Sequence, residues 1–377
     1  MPTPDEIPFR QMLDALLDEE TPFNPRYLYR LSDLNSVEYK ELQETWARIS
    51  IWRRRALVED LEALGENDFL LSFEAVARLG LKDEDPLVRT TSVRMLWDYE
   101  DQDLSWIYLE MAEKDTDTHV RATAAAALGK FIYLAEVEEL PDDLAHEVSG
   151  RLLQIAQGQD DREVRRRALE ALGYSSIQEV VELIQEAYDT GQKDWIASSL
   201  FAMGRSGNEM WEEQVLSKIL NPHPSIRMEA ARAAGELELS EATSNLFELL
   251  KDDNAEVRSA AIWSLSQIGG PGVRDVLEEM HEQTDDEEEA EYLITALDNL
   301  DFTEEMALFS LFDIDGSPKP VPEAELGKKP DLEEAFRLLD EDNLDDEILE
   351  YTDEDEFEDD DYFSDEDDLE DFEDNVD

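Results

Sequence analysis

Apolar residues return along this chain in blocks of about ten, set at i, i+4 and i+8, and a short polar turn precedes each block. That period places one stripe on one side of an α-helix, so each block predicts a helix with a single buried face. The sharpest block is Val120 to Gly129, which reads Val, Arg, a run of small residues, then Leu-Gly. It recurs as Val164-Arg165 through Leu172-Gly173 and as Ile226-Arg227 through Ala234-Gly235. Blunter copies start at Val88-Arg89, Trp195 and Val257-Arg258. Successive copies begin 32, 44, 31, 31 and 31 residues apart. A period near 31 sustained over most of a chain predicts a solenoid of stacked units.

The turns are Asp83 to Pro86, Asp115 to Thr118, Asp160-Asp161, Asn221 to Pro224 and Asp252 to Asn254. Asp and Asn accept hydrogen bonds from the free amides of a helix start, so these residues predict N-caps. The closing Gly suggests a left-handed C-cap. Another apolar-periodic segment lies before each turn, such as Leu246, Leu249 and Leu250. One unit is therefore helix, turn, helix. A single pair cannot cover its own apolar face, and stacking about eight pairs makes a continuous core. The fold class expected is all-α, an α-solenoid of helical hairpins with a disordered acidic tail.

The turn Asp followed by Val-Arg and Leu-Gly resembles the HEAT repeat, and the short period is similar to the HEAT-like repeats of the phycobilisome-lyase type. The resemblance covers roughly residues 36–300. It implies a ladder in which a turn acid and a helix Arg link neighbouring units. Arg89, Arg121, Arg165, Arg227 and Arg258 match the ladder Arg, and Asp83, Asp115 and Asp252 match the acidic position, where Asn221 stands in one copy. Ile196 occupies the Arg position of the Trp195 copy, so a break is expected there.

Four segments follow. Residues 1–35 form a capping segment, in which Phe9, Met12, Leu13, Leu16 and Leu17 fit a short amphipathic helix. Residues 36–312 form the solenoid. The 44-residue step holds an insertion of about 13 residues around Phe131 to Pro141, expected as an extended helix and a longer loop. A weak last unit ends near Leu300, and Thr303 to Phe312 is expected as a separate capping helix. Residues 313–330 are a Pro/Gly linker. Residues 331–377 hold 27 acidic residues and one basic residue, Arg337, a composition that cannot bury enough apolar surface to order itself.

Charge narrows the partner. The chain has 98 Asp+Glu against 32 Lys+Arg, a net charge of −66, and −30 of it falls in residues 301–377. Both parts are acidic. Such a surface repels nucleic acid and anionic membranes and attracts basic proteins. In the tail, Phe357, Tyr362, Phe363 and Phe372 are spaced among carboxylates, an acidic-hydrophobic interleaving typical of interaction tails. Solubility or salt adaptation is the plainer account of the acidity. Two basic clusters stand against this background, Arg53 to Arg55 and Arg162, Arg165, Arg166 and Arg167. They suit ladder pairing or the docking of an acidic segment.

Little points to catalysis. No cysteine is present, which removes disulfides, thiol catalysis and thiolate metal sites and fits a cytoplasmic location. The start lacks a basic n-region and an apolar h-region, and no apolar run spans a bilayer. Deoxyhypusine hydroxylase resembles such a solenoid and carries His-Glu pairs just after the helix start as iron ligands. Here the corresponding pairs are Ala122-Thr123, Arg166-Arg167, Met228-Glu229 and Ser259-Ala260, while His146-Glu147 and His281-Glu282 lie elsewhere. Asp313 to Gly316 is a fragment of a calcium loop without its later ligands. The expectation is a scaffold or adaptor that binds basic proteins without a cofactor, in a specific form a shield for a nucleic-acid-binding protein. The alternative is a bilin-lyase-like enzyme or enzyme subunit.

Overall fold

A computed structural model describes residues 7–310. Among these residues there are helices and turns and no strand. Helix α1 (Phe9–Leu17) is followed by eight hairpins. Their first helices are α2 (Ser36–Trp46), α4 (Glu74–Gly80), α6 (Gln102–Lys114), α9 (Asp142–Gln157), α11 (Gln178–Asp189), α13 (Glu212–Leu216), α15 (Thr243–Leu249) and α17 (Val273–Gln283). Their second helices are α3 (Ile51–Asn67), α5 (Pro86–Met95), α7 (Thr118–Ala127), α10 (Arg162–Ala171), α12 (Lys193–Arg205), α14 (Pro224–Glu236), α16 (Ala255–Ile268) and α18 (Glu287–Ser310). The second helices pack on one another in sequence from α3 to α16 and form one layer.

Most polar turns divide their work between two residues, while in the turn at Asn221 the N-cap is His223, whose side chain makes no capping bond. The second one caps the helix: Asp85 accepts from the amides of Leu87 and Val88 at 3.1 and 3.3 Å, and Asp117 from those of His119 and Val120 at 2.9 and 3.2 Å. The first one bends the turn. Asp83, Asp115, Asn221 and Asp252 each accept the amide two residues on, at 2.8 to 3.0 Å. In the three aspartates the other oxygen faces the preceding unit.

The closing glycines do something other than the C-cap expected of them. Gly129, Gly173, Gly204 and Gly235 are absent from the positive-φ residues. A β-carbon on Gly173 would lie 2.8 Å from the Cα of Ala202, one on Gly204 2.9 Å from the Cα of Ala233, and one on Gly235 2.8 Å from the Cα of Ser264. On Gly129 it would lie 3.3 Å from the Cα of Ala171. The tenth residue of one copy thus touches the eighth residue of the next. Glycine is needed because two backbones meet at the seam.

The apolar stripes close into a core that runs from Ala77 to Leu300, with Val120, Ala124, Leu128, Leu169, Leu200, Ile226 and Leu265 at 0 to 1% exposure. A second cluster fills the N-terminal end. Phe9, Met12, Leu13 and Leu16 of α1 pack there with Leu42, Trp46, Leu57 and Leu61. Arg53, also buried, donates to the carbonyls of Asp18 and Thr21 at 2.7 and 2.9 Å and so pins the chain leaving α1. Val37, at the start of α2, is 65% exposed because the capping box of Asn35 and Glu38 starts the helix with that face outward.

Two local expectations change. The insertion is a separate helix, α8 (Gly129–Glu136), which starts directly after Leu128. Tyr133 of α8 packs edge-on against Tyr174 at 5.4 Å. Thr303 does not open a new helix. It donates back to the carbonyl of Asn299 at 3.0 Å and to that of Ser266 at 3.2 Å, and α18 runs on through it to Ser310. The linker at 313–330 and the tail at 331–377 lie outside the described residues.

Candidate protein-binding groove

The second-helix layer carries one polar feature that repeats and one that does not. The repeating feature is an arginine fork between units. Arg89 holds Asp115 through Nε and Nη2 at 2.8 and 2.7 Å, and Arg121 holds Asp160 at 2.9 and 2.7 Å. Arg227 holds Asp252 at 2.7 and 2.8 Å, and Arg258 reaches Glu289 at 3.4 Å. In all four, Nη1 also donates to the carbonyl six residues back, at 2.8 to 3.0 Å. These partnerships draw the Asp160 and Asp252 carboxyls below their ordinary range, through the hydrogen bonds from Arg121 and Arg227 first.

Arg165 departs from this pattern. The turn of the following unit offers Thr190 and Gln192 in place of an acid, so Arg165 stacks over Trp195 at 5.4 Å and donates to the Ala156 carbonyl at 3.1 Å. Ile196 then leaves Asn221 without an arginine. The ladder has a gap two seams wide. Sequence reading placed the break at Ile196 and missed that Arg165 had already lost its acid.

The basic clusters are largely consumed. Arg54 forms a buried ion pair with Asp83 at 2.9 Å, and the Trp46 indole donates to the same carboxylate at 2.6 Å. Arg55 holds Asp85 at 2.9 and 2.5 Å, which depresses the Asp85 carboxyl. Arg166 donates to the Ser198 hydroxyl at 2.8 Å, and Arg167 holds the buried Glu170 at 2.6 Å.

The non-repeating feature is the solvent face of the layer, set by the fourth and seventh residue of each copy. In α7 these are Thr123 and Ala126, both small. A groove of about 790 Å³ opens over them. Its floor is Ala122, Thr123 and Ala126. On one side stands Arg94, neutralised by Glu62 at 2.6 and 2.7 Å. On the other stand Glu163 and Arg167. Phe69, Trp97 and Tyr99 form the rim, with Phe69 at 91% and Trp97 at 47% exposure. Glu66 and Asp98 line the same groove, and among the described residues neither has an ion-pair partner. Open carboxylates beside open aromatic faces suit a cation carried on an apolar stem.

Farther along the layer several face residues are large, among them Arg167, Phe201, Glu229, Arg232 and Trp263, and a smaller cleft of about 240 Å³ lies among Phe201, Arg205, Glu229, Arg232, Glu236, Trp263 and Tyr292. Arg205 stacks over Phe201 and Tyr174 and pairs with Glu236 at 3.4 Å. Oε2 of Glu229 is buried and has no hydrogen-bond partner. Burial pushes the Glu229 carboxyl up to about 7; Arg232 opposes the shift, and Glu170 and Glu236 add to it. Burial likewise raises Glu236. Neither cleft was read from sequence. The signal was there in the fourth and seventh residues, which vary between copies while the core positions repeat.

The aromatics Phe357, Tyr362, Phe363 and Phe372 lie outside the described residues. Among the described residues no group of three or more His, Asp or Glu converges as metal ligands would, and no helix is long and apolar enough to cross a membrane.

Residues 213–298 match the family model for HEAT repeats, and the other hairpins of the described residues share the same helix–turn–helix form. Among solved structures, the YibA protein of Escherichia coli is 18% identical, with 75% of this chain and 99% of that one covered and a TM-score of 0.38. Human deoxyhypusine hydroxylase is 18% identical over 71% of this chain and 96% of that one, with a TM-score of 0.32. Yeast importin-β is 13% identical over 79% of this chain and 47% of that one, with a TM-score of 0.41. No curated protein matches the chain.

Proposed function

We propose that this chain is a non-enzymatic HEAT-repeat scaffold that binds basic proteins, with the groove over α7 as its docking site. The groove carries the reading: two open carboxylates, Glu66 and Asp98, stand beside the exposed rings of Phe69 and Trp97. A net charge of −66 draws basic partners to the chain over about a Debye length of 8 Å at physiological ionic strength. The acidic tail acts with the groove. Its carboxylates stand in for phosphates and its Phe and Tyr for bases, so a nucleic-acid-binding protein is shielded until it is delivered.

The test is binding of a labelled Lys-rich peptide with a leucine anchor to the full chain. Combining Trp97→Ser, Glu66→Gln and Asp98→Asn is expected to weaken binding about tenfold or more, a hot-spot-sized loss. Unchanged affinity would remove the groove from the proposal. Changing Phe357, Tyr362, Phe363 and Phe372 to Ser tests the tail separately, and a loss that persists at high salt is expected.

A further inference from the structure

We propose that the basic segment of the partner is read at two stations on the second-helix layer: an apolar anchor in the groove over α7, and one lysine or arginine side chain at Glu229, roughly seven residues away. This rests on the groove being the docking site.

The second station follows from the unmet acceptor. Oε2 of Glu229 is buried without a hydrogen-bond partner. A buried acceptor left open is costly, so the site favours a ligand that brings a donor. The cleft around it is lined by Trp263, Tyr292 and Phe201. A donor that gains from a carboxylate and from ring faces together is a cation. The cations already present do not meet the need. Arg205 is held by Glu236, Tyr174 and Phe201. Arg232 is exposed and has no ion pair within 4 Å among the described residues. Arg167, on α10, is held by Glu170.

The spacing follows from the seams. From α7 the layer passes through α10 and α12 to α14, three steps. Each step is closed by glycine: Gly129 on Ala171, Gly173 on Ala202, Gly204 on Ala233. Seams that bring backbones together sit at the short end of helix packing, about 8 Å between axes, so three steps span about 24 Å. An extended chain covers about 3.3–3.6 Å per residue, which sets the anchor and the distal cation roughly seven residues apart.

The test uses fluorescence anisotropy on the full chain with two kinds of peptide. One carries only a Leu-Lys-Lys anchor. The others add a single lysine through a Gly-Ser spacer placing it about three, seven or fourteen residues away, on either side. The lysine at about seven residues is expected to tighten binding about tenfold over the anchor alone, and the shortest spacer is expected to add little. Glu229→Gln, checked for fold by circular dichroism, removes that gain and leaves anchor-only affinity unchanged. Acidification from pH 8 to pH 6 also removes it, because Glu229 takes up a proton there. Arg167, Glu170, Arg205, Arg232, Glu236 and Tyr292 surround it, and burial raises the Glu236 carboxyl as well. If the anchor alone fails to bind, the groove reading falls. If the anchor binds but the distal lysine adds nothing at any spacing, or adds as much to the Glu229→Gln chain, the second station falls and the groove stands.

Discussion

Glu229 and the ladder aspartates respond to pH with opposite sign. The folded-state pKa of Glu229 lies above its ordinary value, so the folded chain holds a proton that the unfolded chain releases. Its contribution to stability is present at low pH and is lost as pH rises towards about 7. Glu229→Gln is therefore expected to raise the melting temperature at pH 8 and to leave it unchanged at pH 4. Asp85, Asp160 and Asp252 are depressed, so what they contribute is present above the ordinary carboxylate range and is lost as pH falls through it. Melting curves from pH 8 to pH 3 separate the two, since the aspartate loss comes only at the acid end. Arg54 gives a stronger single-residue effect. Arg54→Ala strands the buried Asp83 carboxylate and is expected to cost about 3–5 kcal/mol in denaturant unfolding. The repeat spacing made the fork arginines legible, because their role depends on offset from the turn. Glu229 was not legible, since its cleft is closed by residues of α12, α16 and α18 and no local pattern encodes that.

At the scale of helices and seams, small residues do more than fill space. Gly173→Ala places a methyl 2.8 Å from the Cα of Ala202, where backbone cannot yield, and is expected to destabilise by about 1–3 kcal/mol. Gly150 in α9 has nothing within 4 Å, so Gly150→Ala gains helix propensity and is expected to stabilise by up to about 1 kcal/mol. Chemical unfolding of the pair checks whether seam contact or helix preference sets the sign. The Leu-Gly ending was visible as a motif, and its usual meaning at a helix end misled. Only the neighbouring copy shows that Gly173 faces Ala202 and not a turn. The ladder gap is testable at the same scale. Thr190→Asp supplies the missing acid at the position where Asp115 and Asp252 stand, and it is expected to draw Arg165 from the Trp195 ring. Trp195 emission should change, with a gain of no more than about 1 kcal/mol, as befits a partly exposed pair.

Over the whole molecule, the period near 31 was enough to expect stacked hairpins, and the eight pairs follow it. The binding face was harder to read because it lies where the copies differ. A solenoid keeps its core positions alike so that any unit fits the next, and it leaves the face positions free. Thr123 and Ala126 read as more helix-forming small residues until their neighbours Arg94 and Arg167 are seen standing above them. Tyr133 of the insertion helix α8 meets Tyr174 edge-on and stays 45% exposed.

The glycine seam has a consequence for how such a chain can change length. The four junctions at Gly129, Gly173, Gly204 and Gly235 ask for the same two things, a glycine in one unit and a small residue two places earlier in the next. Units joined by so uniform a coupling are interchangeable parts. Deleting residues 190–220, a span of one period, would join α11 to the turn at Asn221 and bring Gly173 against Ala233 in place of Ala202. The shortened chain is expected to remain helical and to unfold cooperatively. The deletion takes Phe201 and Arg205 out of the Glu229 cleft, and Glu229 itself would then stand one step closer to the groove over α7, so the protein would read a shorter ruler along its partner.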